Sequence, residues 1–486
     1  MSEMPDRRTD SVSASPANRG WATHGGRLVT LLLLVNSMVA CTSALGEDRW
    51  LQFHGDGPNR GFVLTRTNES LEPDWSVEVG AVTFGSPVVA EDGTVYVGTV
   101  DGDLVSVDPD GTIKWRLTLP SPRFGFPAVI TSSPAVGSDQ NIYVVSTNVD
   151  LLVRDHTTNS TTTYQGHLSA LHSVTPEGEV RWSHPFNERI ADLKEWGFTG
   201  ASPKVWGSGG ELNVFLPVTY GQFRLKTFLS VLDSDGNLVA EETVASYDPT
   251  LVGTGPNLFE AIWDLIHIEF DTSGIDPPPG SAHKLWLDPT IAVVDDSDAP
   301  VTPTLVIHDN VAALGVFEWS APSTLTPRWK IESKRPMRHS SPVILGDLLI
   351  IGREDGILEY RDLATGAAVW EPWPGIDGPA ISTPAAFGRP IFARTSEQIY
   401  ALDLDGELLY SFDGLTGYSY VSSPALSTNR VYVSTYGGLY SFNLDLSDVT
   451  KFDGMTPSGS SSPAIAEDGA VYQMDSKGKL WAFRQP

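Results

Sequence analysis

Three Asp-x-Asp-Gly segments place carboxylates close together in the chain, as a calcium site would require. They lie at 108–111, 233–236 and 403–406. An EF-hand loop needs a further oxygen ligand before the glycine and a glutamate at its end, and none of the three segments has them. The same repeat position at 362–366 keeps the glycine without the second aspartate. Because the shared requirement is turn geometry, we expect no metal site here.

Motifs of the common enzyme classes are absent from the sequence. The chain has no GxSxG, no HExxH and no P-loop, so the anchors of a nucleophile elbow, a zincin and an NTPase are missing. A single cysteine excludes an intramolecular disulfide, a CxxC redox pair and a multi-cysteine zinc or iron-sulfur site. We therefore predict no catalytic residues, no cofactor and no enzymatic activity.

Cys41 is that single cysteine, and it follows a short apolar run at 28–35. The run is much shorter than the roughly 20 residues that span a bilayer, and basic residues precede it, as in a secretion signal. The sequence MVAC at 38–41 is similar to the bacterial lipobox, whose cysteine becomes the acylated first residue after cleavage. We expect a signal peptide over 1–40 and acyl chains such as palmitate on Cys41. An ordinary signal peptide with an incidental cysteine is the alternative.

Aromatic and cationic residues concentrate in the segments that precede a recurring Ser/Thr-Pro phrase. Such side chains dominate binding hot spots, and cations beside aromatic rings favour an anionic or peptide ligand. In the alternative interpretation, the rings plug a channel mouth and each arginine pairs with a carboxylate of this acidic chain. The candidate binding residues are Arg123, Phe126, Trp196, Arg338, Tyr418 and Tyr420.

An internal repeat positions these segments. The Ser/Thr-Pro phrase begins at 86, 133, 202, 341, 383, 423 and 462, and the last three spacings are 42, 40 and 39 residues. Spacings of roughly 40 residues match one four-stranded propeller blade. The gap from 202 to 341 fits two enlarged units, with the hidden unit beginning near 289, so we predict eight blades. Asp-Gly pairs such as Asp92-Gly93 suit the hairpin turns within them.

The ends of the chain are predicted to meet. The last unit, 462–483, holds three strands, whereas 74–79 is an unpartnered strand that contains Trp75. Pairing this N-terminal strand with the last blade removes exposed sheet edges. We also expect the tryptophans that follow a turn glycine by four residues to pack between neighbouring blades: Trp115, Trp182 and Trp370.

Two insertions interrupt the blades, near 149–167 and 246–287. The first is rich in Thr and Asn, which predicts a long polar hairpin or a loose loop. In the second, a variant of the capping box at 257–260 and an apolar stripe with helical spacing predict a helix over 257–270. Its apolar face would fold onto the propeller or dock a partner. The stripe consists of Phe259, Trp263, Ile266 and Phe270.

The units resemble PQQ-type propeller repeats, as in GSPVVAEDGTVYVGT at 85–99 and in Trp115 four residues after Gly111. The resemblance spans about 48–484 and implies an all-β fold, an eight-bladed β-propeller of four-stranded antiparallel blades. The propeller would occupy 73–486, after a lipid-anchored linker and leader over 41–72. A lipobox ahead of eight such units is similar to the lipoprotein subunit of the bacterial outer-membrane β-barrel assembly machinery.

The net charge of the chain and its resemblance to PQQ-type repeat proteins together limit the functions that we expect. Lys plus Arg number 32 against 60 Asp plus Glu, a net charge of −28, which disfavours nucleic-acid binding. The resemblance implies a monomeric, non-enzymatic lipoprotein that faces the periplasm, on the outer membrane, and binds protein partners such as outer-membrane assembly components. Quinoprotein dehydrogenases share these repeats, which leaves a PQQ-dependent oxidoreductase as an alternative, although the vicinal cysteine pair of the soluble-alcohol class is absent. A propeller that binds a small ligand or polysaccharide is the third possibility.

Overall fold

The computed structural model describes most of the chain from Arg49 onward and consists of β-sheets connected by turns. Eight sheets follow one another in chain order as the blades of a propeller. The described residues are 49–80, 85–122, 127–148, 150–155, 160–164, 168–186, 197–220, 225–247, 267–270, 291–295, 303–308, 313–332, 340–353, 356–370, 382–395, 397–416, 422–455 and 461–484.

The first two blades pair four strands each in antiparallel order. The N-terminal strand β1 (Pro73–Glu78) precedes them and belongs to the last blade. Blade 1 contains β2 (Val88–Val89), β3 (Val95–Gly98), β4 (Asp103–Val107) and β5 (Ile113–Thr118). Blade 2 contains β6 (Ala135–Val136), β7 (Ile142–Asn148), β10 (Leu168–Val174) and β11 (Val180–Pro185), with β8 (Asp150–Asp155) and β9 (Ser160–Tyr164) inserted between β7 and β10.

The third and fourth blades are the enlarged units. In blade 3, two short strands pair with β14: the blade contains β12 (Gly197–Phe198), β13 (Lys204–Trp206), β14 (Asn213–Tyr220), β15 (Leu225–Asp233) and β16 (Leu238–Tyr247). After β17 (His267–Phe270), blade 4 contains β18 (Ala292–Asp295), β19 (Pro303–His308), β20 (Ala313–Ser320) and β21 (Thr324–Glu332). The hidden fourth unit is confirmed.

Blades 5 to 8 complete the ring, and three strands of blade 5 are described. Blade 5 contains β22 (Val343–Leu345), β23 (Leu348–Gly352) and β24 (Leu358–Asp362). Blade 6 contains β25 (Ala385–Ala386), β26 (Ile391–Arg394), β27 (Ile399–Leu402) and β28 (Leu408–Phe412). Blade 7 contains β29 (Ala425–Leu426), β30 (Arg430–Thr435), β31 (Gly438–Asn443) and β32 (Thr450–Phe452), and blade 8 contains β33 (Ala464–Ile465), β34 (Val471–Met474) and β35 (Lys479–Phe483).

Strand β1 closes the ring, as the sequence predicts. It pairs antiparallel with β35, with Trp75 opposite Ala482, and becomes the fourth strand of blade 8. Near the axis, Ser/Thr hydroxyls of the repeated phrase accept backbone N–H groups from the preceding blade, and one of these bonds joins blade 8 to blade 1. The donor and acceptor pairs are Ser86 to Ser133 at 2.8 Å, and Ser133 to Ser202, Ser341 to Thr383, Ser423 to Ser462 and Ser462 to Ser86 at 2.9 Å.

The core lies between the blades. Successive residues of a strand face opposite sides of its sheet, and each sheet has a neighbour on both sides. Val88 accordingly packs in a cluster with Val136 of blade 2, whereas Val89 packs in a cluster with Ala464 of blade 8. This double burial is why the inner strands are apolar at consecutive positions.

Strand direction divides the connections between two faces of the ring. Antiparallel strands alternate in direction, so the turns after the first and third strands of each blade lie together. We call this end the turn face; in blade 1 it holds 90–94 and 108–112. The opposite end, the connection face, holds the turns after the second strands and the segments that join one blade to the next.

The two insertions both leave from the connection face, and they form one small sheet. Strands β8 and β9 make the predicted hairpin, and β17 pairs parallel with β8, with His267 opposite Asp150. The predicted helix over 257–270 is wrong at its end, because 267–270 is a strand; 257–266 lie outside the described residues. The alternation of His267-Ile-Glu-Phe270 suits a strand, and the neighbouring hairpin supplies the partner that single-sequence periodicity cannot reveal.

Helical structure in the described ranges is limited to one 3-10 turn, Gly209–Glu211. This turn connects β13 and β14 at the turn face. Accordingly, none of the residues that the structure describes form a helix with the length and hydrophobicity needed to cross a membrane.

Tryptophans on the outer strands dock onto the next blade. The half-buried Trp115 ring lies against Gly178 of blade 2, and its Nε1–H donates to the Pro176 carbonyl at 2.7 Å. The prediction of contact between blades is confirmed for Trp115 and Trp182. Trp370 packs against Tyr360 of its own blade, within a cluster that blades 5 and 6 share. The same docking joins Trp75 to Gly111, Trp182 to Gly236 and Trp329 to Gly366, with indole hydrogen bonds of 2.9 Å to Pro109, Ser234 and Leu363.

Gly178→Ala tests this docking, because a Cβ there would lie 2.8 Å from the Trp115 ring while φ is +88°. Gly346 is the matched control, since its φ is +61° and a Cβ would meet nothing within 4 Å. Both alanines incur about 1 kcal/mol of left-handed strain, and overpacking adds about 1–3 kcal/mol at Gly178 alone. Urea unfolding measures both variants, and equal losses would contradict the docking.

Candidate functional site

The residues that the sequence singled out for binding and anchoring lie outside the described parts of the chain. The structure therefore does not show whether they come together, and their role stays a prediction. The described residues that border these segments, such as Pro127 and Ser340, precede the first strands of blades 2 and 5. The residues concerned are Cys41, Arg123, Phe126, Trp196, Arg338, Tyr418 and Tyr420.

The best-defined site in the described residues lies at the axis of the ring, where residues 50–61 make a circuit past seven blades. In six of these blades, the residue three positions after the Ser/Thr of the repeated phrase donates its backbone N–H to this segment, which we call the plug, and in blade 4 the donor is Val293 of β18. The donors, from blade 1 to blade 7, are Val89, Val136, Val205, Val293, Ile344, Ala386 and Leu426. Their acceptors, in the same order, are the carbonyls of Trp50 and Leu51, Gln52 Oε1, and the carbonyls of Gly57, Pro58, Arg60 and Gly61, at distances of 2.7–3.1 Å.

Small residues let the plug approach the strands closely. A Cβ at Gly57 would lie 2.7 Å from the Val293 carbonyl oxygen, and one at Gly61 would lie 2.5 Å from the His54 ring. Gly61 and Asn59 adopt positive φ values of 62° and 60°, a region that glycine and asparagine tolerate. The sequence between Trp50 and Phe62 is therefore shaped for turning within a narrow space.

Polar side chains of the plug are buried and satisfied mainly by backbone carbonyls. His54 Nδ1 lies 2.6 Å from the Asn59 carbonyl oxygen, and Nε2 lies 2.9 Å from that of Pro424. Asn59 Nδ2 donates to the Pro342 carbonyl at 2.9 Å and the Ile291 carbonyl at 3.3 Å. One histidine and one asparagine thereby tie the plug to blades 4, 5 and 7.

Charged groups complete this cluster. Asp56 Oδ2 pairs with Arg60 Nε at 2.5 Å within the plug. Lys204, on the inner strand of blade 3, donates from Nζ to the carbonyls of Phe53 and Asp56 at 2.9 and 2.6 Å. Burial lowers the pKa of Lys204 to about 7 and that of His54 to about 4. Because burial disfavours the charged forms, these groups act in structure and not as exposed ligands.

From the sequence, this segment is predicted to be part of a leader and to hold no functional site. The available signal was its composition: Gly55, Gly57, Pro58 and Gly61 lie within twelve residues that begin at Trp50. Such a cluster indicates turns, but it carries no periodicity that identifies its partners. Those partners are spread from Val89 to Leu426.

The described residues do not fit a quinone cofactor at the level of the inner strands. The plug occupies the axis there and accepts the N–H groups of seven blades, six through its carbonyls and one through Gln52 Oε1. In the described ranges, no three His, Cys, Asp or Glu side chains are grouped so that they could hold a metal ion.

Comparison with known proteins gives one family match in sequence and many matches in structure. A family model described as "Outer membrane protein assembly factor BamB" matches residues 61–184 and 316–485, more than half of the chain. No curated protein matches the sequence.

Three of the similar solved structures come from proteins with different names. Their sequence identities to this chain are 11–13%, so the likeness shows the fold alone. BamB from Moraxella catarrhalis is 12% identical, with a TM-score of 0.48 over 85% of this chain and 98% of that one. Quinohemoprotein alcohol dehydrogenase from Comamonas testosteroni is 13% identical, with a TM-score of 0.57 over 92% and 82%. Saccharomyces cerevisiae Sqt1 is 11% identical, with a TM-score of 0.52 over 86% and 100%.

Lys204→Met tests the buried charge beneath the plug. The lowered pKa of about 7 means that between pH 7 and pH 10 the unfolded chain binds a proton that the native state does not, so stability rises with pH. We expect the free energy of unfolding of the unsubstituted protein, relative to the variant, to increase by about 2 kcal/mol from pH 7 to pH 9.

Lys226→Met, at an exposed lysine of the neighbouring strand β15, is the control for this measurement. Its stability should run parallel to that of the unsubstituted protein over the same pH range, as followed by urea denaturation. If the stability of Lys204→Met also ran parallel to that of the unsubstituted protein, the plug would not desolvate the ammonium group of Lys204.

Proposed function

The chain belongs to the PQQ-repeat propeller family whose model is described as outer membrane protein assembly factor BamB, and on that premise we propose that it is a non-enzymatic scaffold for protein partners in the bacterial cell envelope. The observation that carries this proposal is the plug, which takes up the axis of the ring at the inner strands. What remains for binding is the connection face, the turn face and the outer blade edges. These surfaces suit macromolecular partners.

The rigidity of the ring supports a scaffold role. Blade 8 is closed by β1, neighbouring blades are joined by hydroxyl and indole hydrogen bonds, and the plug contacts seven blades. A surface held in one shape loses little conformational entropy when a partner binds. We infer that partners dock on preformed surfaces, and family membership favours components of outer-membrane protein assembly as those partners.

Lipidation at Cys41 is part of the proposal. We expect Cys41→Ser to move the protein from the membrane fraction to the soluble periplasmic fraction, because the acyl chains that hold it at the bilayer are lost. Ser43→Ala, two residues away, should leave it in the membrane fraction. Fractionation and immunoblotting measure both variants, and a Cys41→Ser protein that stays with the membrane would overturn the lipid anchor.

Binding through the connection face is tested by replacing Arg123 and Arg338 together with Ala. We expect co-purification of barrel-assembly subunits with the lipidated protein to fall by roughly tenfold, as for loss of hot-spot arginines, while the melting temperature is unchanged. The control replaces Arg66 and Arg389, whose side chains are 71% and 64% exposed at or near the turn face. If co-purification is undiminished, or if it falls only because the variant unfolds, the connection face is not the binding surface. If no subunit co-purifies with the unsubstituted protein, the proposed function is wrong.

A further inference from the structure

The outer edge of blade 6 is unusually apolar and exposed. Strand β28 is the last strand of its sheet, and no described strand pairs with its outer side. Leu408, Leu409 and Tyr410 on this strand are 50%, 42% and 47% exposed. An exposed edge carries free N–H and C=O groups that can pair with another extended chain.

Charge distinguishes this edge from the others. Among the outermost strands of the seven blades for which the structure describes at least four strands, β28 alone contains no charged residue. Charged side chains on an edge strand oppose pairing with a further strand, so the other six edges are protected. They carry Asp74 and Glu78 on β1, Lys114 and Arg116 on β5, Arg181 on β11, Glu241 and Glu242 on β16, Arg328, Lys330 and Glu332 on β21, and Lys451 on β32.

Tyr410 is exposed because the docking site for an outer-strand aromatic ring is missing in blade 7. In four other junctions, an indole ring lies on a turn glycine of the next blade, as Trp115 does on Gly178. The corresponding turn of blade 7 contains Leu446, which has φ of 58° and a buried side chain. A leucine side chain fills the space that glycine leaves open, so Tyr410 is not held against the neighbouring blade.

We propose that the outer edge of blade 6 binds an extended segment of a protein partner by strand addition to β28. This inference rests on the proposed function as a protein-binding scaffold and assigns one of its surfaces. Main-chain hydrogen bonds to Leu408–Phe412 hold the added strand, and the exposed side chains select apolar residues in it, as in other strand-addition complexes.

Acidic residues at both ends of β28 define the partner further. Glu407 precedes the strand and Asp413 follows it, and both are exposed. Antiparallel pairing of two copies about Tyr410 would place Glu407 of one opposite Asp413 of the other, and like charges in opposite positions are destabilising. The edge therefore disfavours a second copy of this chain and favours an apolar strand flanked by Lys or Arg.

The test uses the full chain and a fluorescein-labelled peptide, Lys-Val-Thr-Val-Thr-Val-Lys, followed by fluorescence anisotropy. We expect saturable binding that weakens by roughly tenfold or more when Leu408→Lys and Tyr410→Lys are introduced together, because the new charges protect the edge as elsewhere in the ring. Amide hydrogen exchange within 407–413 should slow when the peptide is added. Leu238→Lys is the matched control, since Leu238 also begins an outer strand, is 40% exposed and follows its turn glycine by two residues.

Two altered peptides separate strand addition from general adhesion. A peptide N-methylated at alternate residues lacks the donors for pairing, and a peptide with Glu in place of both Lys residues faces like charge; each should bind at least roughly tenfold more weakly. Equal binding of all peptides, equal loss in Leu238→Lys, unchanged exchange at 407–413, or no binding by the unsubstituted protein would each overturn the proposal.

Peptide binding and co-purification, measured together, distinguish failure of this surface from failure of the proposed function. If barrel-assembly subunits co-purify with the unsubstituted protein while the peptide does not bind, the scaffold role stands and the blade 6 edge is wrong. If the peptide binds as expected but no envelope protein co-purifies, the edge is a strand-binding site and the assembly role is wrong.

Discussion

The inner edge of every blade imposes the constraint on which the rest of the structure depends. The first strand of a blade pairs on one side only, and its other side faces the axis, where an unpaired N–H would be buried at a cost of about 1–3 kcal/mol. The plug meets this requirement at seven equivalent positions. The buried polar groups Lys204 and His54 also help to hold the plug at the centre of the ring.

Stability and recognition are separated along the radius of the propeller. The axis is secured by the plug and by the hydroxyls of the Ser/Thr-Pro phrases, and the outer strands are secured by indole rings that rest on glycines of the next blade. The blades differ from one another away from these two sets of contacts. The insertion sheet stands on the connection face, and blade 6, whose Tyr410 has no docking glycine, leaves an apolar edge.

Repetition explains which features could be predicted from the sequence. Ser86-Pro87 and its equivalents fix the blade number, and the tryptophan of β1 identifies the strand that closes blade 8, because each pattern has other copies to compare with. The end of the insertion was misassigned because Ile266 and Phe270 fit helical spacing as well as strand alternation. The plug was missed since it occurs once, and its hydrogen bonds connect residues as distant as Gly61 and Leu426. The binding candidates from Arg123 to Tyr420 remain predictions because they lie outside the residues that the structure describes.

The order of contacts along the plug also has a consequence for how the chain matures. Acceptors from Trp50 to Gly61 meet blades 1 to 7 in the order in which those blades occur in the sequence. A chain that forms from its N-terminus provides the plug first and then each blade in turn. Every arriving blade finds its acceptor one step further along a segment that is already present. Final closure nevertheless waits for β35, because β1 has no strand to pair with before then. In a chain that forms in this direction, the plug and the closing strand β1 are thus both present before the blades that they hold together.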